Sequence, residues 1–182
     1  MSKIYNKSGG YRKLFSFNFA TIVHLGTMRF CKRFVDWKED PLGKGVGQMV
    51  GASRSGKQNI VEGSERAKTS AETEMKLTDV SKASLTELLG DLEDYLVVHG
   101  EIPWSIHSKE HQAVSSIEIE RFEYTEDVLH DYWTYLTAQK KKFDPWLESD
   151  DPVVVANALI VLVQRTVALL GKQLQSLEAS FL

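Results

Sequence analysis

Apolar residues recur at spacings of three and four along four long stretches of this chain, the period of an amphipathic helix. The first, about residues 16–37, puts Phe19, Val23, Gly26, Phe30 and Phe34 on one stripe. Pro41 and Gly43 then punctuate the chain. The second, about 43–67, aligns Val46, Met49, Val50, Ser53, Ile60 and Val61. The third, about 70–98, carries Leu77, Ser81, Leu85, Leu88, Leu92 and Tyr95, and stops before Gly100 and Pro103. The fourth, about 151–178, opens on Asp151-Pro152, an acidic cap followed by proline at the first helical position. Val155, Leu159, Leu162, Thr166, Leu169, Gln173 and Leu177 form its stripe. Four such helices in one domain predict an all-α helical bundle.

Local signals sharpen this outline. The second stretch is crowded with small residues, including Gly47, Gly51, Ala52, Ser53, Ser55 and Gly56. Each glycine weakens an isolated helix by about 1 kcal/mol, so close packing must compensate. Thr69-Ser70-Ala71-Glu72 reads as a capping box built on Thr69 and Glu72. Gly63 is placed to end or kink the second helix.

Residues 101–150, ahead of the last helix, read as an aromatic-rich insertion holding Trp104, Phe122, Tyr124, Tyr132, Trp133, Tyr135, Phe143 and Trp146. Ile117, Ile119, Phe122 and Tyr124 suit a short strand or a helix equally, and Asp127 to Lys142 reads as helical. These aromatics either pack onto the bundle or offer a surface for stacking bases.

Charge adds an asymmetry that hydropathy does not show. The net charge is −3, yet residues 1–68 hold 13 Lys/Arg against 5 Asp/Glu, and the rest hold 9 against 20. That division suits a face for nucleic acid, a basic surface that meets an acidic one on a neighbouring subunit, or simply solvated faces. No run of 18 apolar residues or secretory leader is visible, and the one cysteine, Cys31, has no internal disulfide partner. A cytoplasmic location is therefore expected, with no membrane span.

Three matches to reactive chemistry are incomplete. Gly51 to Lys57 fits the start of a phosphate-binding loop, but Gln58 stands where Ser or Thr must hold magnesium, and no strand precedes it. His107-Ser108-Lys109-Glu110-His111 matches an inverted zinc-protease pattern without a third ligand. Cys31, beside Lys32 and Arg33, has no histidine to activate it. No catalytic residue, metal or cofactor is expected.

Asn59-Ile60-Val61-Glu62-Gly63, together with Ser84-Leu85-Thr86-Glu87-Leu88, resembles a bacterial family of four-helix bundle proteins. These are encoded within intervening sequences of large-subunit ribosomal RNA genes, and the accessory variability determinants of diversity-generating retroelements share their fold. Gly56-Lys57 departs from the Ile-Pro pair usual in the common branch. With the aromatic region and the helix from Pro152, it is similar to the branch bearing a four-helix-bundle suffix. The resemblance spans most of residues 15–182.

That resemblance implies an up-and-down four-helix bundle assembled as a homopentameric ring, with no enzymatic activity. In the retroelement relatives the ring presents basic surface to a reverse transcriptase and nucleic acid. The expected function is a non-enzymatic oligomeric scaffold that binds structured RNA or a nucleic-acid-handling protein. Its candidate contacts are Arg29, Lys32, Arg33, Arg54, Lys57, Arg66 and Lys68, which can pair with phosphates. The alternative is a protein–protein scaffold in which the basic half contacts a neighbour's acidic half. Asn59, Glu62 and Glu87 are expected to form a buried polar network that fixes helix register.

Overall fold

A computed structural model describes residues 10–36 and 38–181. After a 3-10 turn at Gly10–Lys13 come α1 (Phe15–Phe34), α2 (Lys44–Arg66), α3 (Ala71–Val98), α4 (Lys109–Ser116), α5 (Val128–Lys141), α6 (Asp144–Leu147) and α7 (Pro152–Ala179). The described residues are helical or irregular, and none forms a strand. Residues 117–124 are neither strand nor helix: they run as a non-repetitive segment that buries Ile119 and Phe122.

Local chemistry explains the helix ends. α1 stops at Phe34, short of the sequence expectation, whose last residue, Trp37, lies outside the described residues. Asp36 turns the chain by accepting from the amides of Lys38 and Glu39. Gly43 supplies a left-handed step (φ 64°), and the Asp40 carboxylate accepts from the amides of Gly45 and Val46, which α2 leaves free. The capping residue of α3 is Ser70, not Thr69: its hydroxyl accepts from the Thr73 amide at 3.1 Å. Thr69 instead donates to the Arg66 carbonyl, and Glu72 pairs with Lys76.

The four long helices each pack against two others: α1 on α2 and α7, and α3 on α2 and α7. Side-chain pairs fix their directions. Ser16 meets Gln173 while Arg29 meets Glu148, so α1 and α7 run antiparallel. Ser81 reaches Gly56 while Thr78 lies beside Gly63, so α2 and α3 do too. Phe30, Leu85, Leu88, Leu92, Leu159 and Leu162 are fully buried between them. Burying each such side chain contributes about 1.5–3 kcal/mol.

Residues 101–150 are a cover for this core. α4 and α6 lie on α7, α5 touches α1, and Val114, Phe122, Tyr132, Leu136, Phe143 and Leu147 are buried. As a result α1 is buried without a break from Ser16 to His24, and α7 from Val155 to Val163. α7 is long and apolar enough to cross a membrane, but 61% of its apolar window is buried within this structure. Its burial matches that of a central core helix.

Candidate functional site

The signature on α2 sits at the seam with α3, where it carries packing. Asn59 donates from Nδ2 to the Ser55 carbonyl (2.8 Å) and hydroxyl (3.0 Å), and Ser55 meets the Ser84 hydroxyl at 2.9 Å. Glu62 and Glu87 are exposed, so the buried network expected of them with Asn59 does not form. Carboxylates escape the cost of burial by facing water, and serine hydroxyls bridge the seam instead. Gly63 does not end α2, which continues to Arg66 with no positive φ at Gly63. It is buried against α3, with Leu77 Cβ at an ordinary contact distance of 3.5 Å from where its own Cβ would lie.

The seven candidate basic contacts do not form one patch. Arg29 pairs with Glu148 at 3.2 Å. Arg33 donates to the carbonyls of Leu147, Glu148 and Ser149 and reaches Glu148 and Asp150. Both therefore tie the end of α1 to the chain entering α7. Lys32 is exposed at that same end, while Arg66 and Lys68 are exposed past the far end of α2. Arg54 and Lys57 lie between, about 18 Å along the helix from Arg66 in the case of Arg54. Lys32, Arg54, Lys57, Arg66 and Lys68 make no ion pair among the described residues.

Arg54 and Lys57 gain a third cation that the sequence reading missed. Arg12, in the first turn, stacks its guanidinium over Tyr11 (5.0 Å) and Tyr132 (5.2 Å), with Nε buried and unpartnered. Lys57 is held below its usual pKa by burial, and further by the charges of Arg54 and Arg12. His24, beneath them on α1, is pushed down to about 4 by burial, then by Lys57 and Arg54. It is therefore neutral near pH 7. Ser53 gives its hydroxyl proton to the Val50 carbonyl at 2.9 Å, so it accepts from His24 Nδ1–H at 2.7 Å. This buried pair has no third member and reads as structure. The only sequence signal for Arg12 was its place between Tyr11 and Lys13, outside every helical stripe.

The opposite sign gathers at the other end of the α2–α3 seam. A cleft of about 400 Å³ is lined by Glu39, Asp40, Asp91, Asp94, Tyr95 and His99 over Met49. Burial raises the Asp91 carboxyl, and Asp94 and Glu87 add repulsion. Among the described residues, no Lys or Arg lines this cleft.

The remaining candidates are structural. His107 is exposed, and His111 begins α4, its amide capped by Ser108 at 3.1 Å. The described residues hold no group of three or more potential metal ligands. Cys31 is buried, and burial pushes its thiol up to about 11, away from thiolate chemistry. Of the aromatic segment, Tyr132 packs near Phe17 and Phe122, and Phe143 edges Phe19. Trp133 and Tyr124 are exposed. Compared with protein-family models, curated proteins and solved structures, the chain matches none.

Proposed function

We propose that this chain is an up-and-down four-helix bundle that works as a non-enzymatic, cytoplasmic scaffold, binding structured RNA or a nucleic-acid-handling protein. Its assembly as a homopentameric ring is carried over from the family resemblance. One observation carries the binding assignment: the 3-10 turn that holds Arg12 packs on α2, Lys57 lies within the fields of Arg54 and Arg12, and none of the three is in an ion pair among the described residues. A surface left with unneutralised charge gains from meeting a polyanion, because phosphates replace the missing carboxylates and release counterions. Arg29 and Arg33 drop out of the contact set, since their partners lie within the fold. Lys32, Arg66 and Lys68 extend it at the edges.

The test is fluorescence anisotropy with a labelled structured RNA. Arg54→Glu with Lys57→Glu is expected to remove binding, and wild-type affinity is expected to fall with salt at a slope set by roughly three neutralised phosphates. Unchanged binding in the double variant rejects this surface.

A second reading rests on the acidic cleft around Asp91 and Asp94, whose mutual repulsion a cation would relieve. There the basic surface of one subunit meets the acidic cleft of the next. The same charge reversal then changes the mass of the particle and leaves RNA unaffected.

A further inference from the structure

A different surface, sharing no residue with Arg12, Arg54 and Lys57, joins an apolar floor to a cationic rim. Two cavities, of about 470 and 380 Å³, adjoin where Phe15, Leu169 and Lys172 line both. Together they follow α7 from Arg165 to Leu177, bounded across the groove by the start of α1 and the segment from Glu118 to Arg121. At 1.5 Å per residue that is about 18 Å, or roughly three helical turns.

Cations outnumber carboxylates along the rim. Arg165 gives one N–H to the Val114 carbonyl at 2.9 Å and stacks 4.5 Å over Phe19. Arg121 stands 5.5 Å over Phe15, and Lys172 is exposed with no ion pair among the described residues. Lys13 adds a fourth charge, paired with the exposed Glu123 at 3.4 Å and 5.6 Å from the Tyr124 ring. Against these stand Glu118 and Glu74, and burial raises the Glu74 carboxyl toward its neutral form.

We infer that this groove docks an acidic amphipathic helix of a partner protein. The cations are spread over two turns of α7 and its facing segment, which suits several carboxylates in a row better than one anionic head. The floor of Phe15 and Leu169 rewards leucine-like anchors that a phosphate backbone does not supply. The groove is open, as a helix laid on a surface requires, and such helices are read through anchors at i, i+4 and i+7. The rim charges then set approach and partner choice.

The experiment uses the full chain and a fluorescein-labelled 15-residue probe peptide with leucines at i, i+4 and i+7 and glutamates between them. Two controls replace every glutamate by lysine, or scramble the order. Anisotropy is expected to show micromolar binding of the patterned acidic peptide alone. Lys172→Glu with Arg121→Glu, both at exposed positions, is expected to weaken it about tenfold or more with circular dichroism unchanged. Arg54→Glu with Lys57→Glu is expected to leave it intact, which separates this groove from the proposed RNA surface. Equal binding of the scrambled peptide, an unaffected groove variant, or binding of RNA or dodecanoate there in place of the peptide overturns the inference.

Discussion

Gly56 of α2 lies so close to Leu85 of α3 that a Cβ on the glycine would stand 2.6 Å from Leu85 Cδ2 and 2.7 Å from its Cγ. Leu85 is fully buried, so it has no space to withdraw into. The Ser81 hydroxyl donates to the Gly56 carbonyl at 2.5 Å in the same crossing. The glycine that imitates a phosphate-binding loop is thus a helix contact point.

Gly56→Ala is expected to destabilise the protein by about 1–3 kcal/mol, because the crossing must open or Leu85 must leave its rotamer. Gly51→Ala, where a Cβ meets open space, is expected to stabilise it by about 0.5–1 kcal/mol through helix propensity. Urea denaturation of both variants checks the pair. Equal effects would mean that the seam is not tightly packed.

Arg33 and Arg54 are both basic helix residues and are expected to fail differently. Arg33→Ala leaves the carbonyls of Leu147 and Ser149 without their donor and is expected to cost about 1–3 kcal/mol of stability. RNA affinity should change little. Arg54→Ala, at an exposed site, is expected to stay within about 0.5 kcal/mol in stability while weakening RNA binding. Thermal unfolding and anisotropy on the two proteins separate these outcomes.

His24 predicts an acid sensitivity whose sign follows from its lowered pKa. Between its ordinary 6.5 and about 4, the unfolded chain takes up a proton that the folded chain refuses. Stability is therefore lost as pH falls through that window, by about 3 kcal/mol in total, and the loss ends below it. His24→Gln is expected to flatten this part of the profile relative to wild type. Unfolding measured at pH 7, 5.5 and 4 on both proteins gives the difference.

At the start of α3, Ser70→Ala is expected to cost about 1 kcal/mol, since the Thr73 amide loses its acceptor. Thr69→Ala is expected to be near neutral, because its exposed hydroxyl makes only a bond to Arg66. A larger loss at Thr69 would restore the capping box expected from the sequence.

The long helices were legible because period is a local property: Leu85, Leu88, Leu92, Leu159 and Leu162 are buried as their spacing requires. The segment from 117 to 124 was not, since Ile119 and Phe122, three residues apart, are buried in a stretch that is neither helix nor strand. The site was less legible still. Arg54 and Lys57 were named from charge alone, but Arg29 and Arg33 carry equal charge and are consumed by partners more than a hundred residues away. Arg12 joins the surface through the packing of its 3-10 turn on α2, a contact across the chain that no local pattern encodes. Glu62 and Glu87 sit among apolar neighbours in sequence, yet a one-position turn of the helix puts each in water.

Light scattering after size-exclusion chromatography, at low and high salt, with absorbance read at 260 and 280 nm, tests the proposed scaffold most directly. A particle near five times 20.6 kDa that carries nucleic acid at low salt and sheds it at high salt is the predicted result. A nucleic-acid-free monomer at both salts would contradict it.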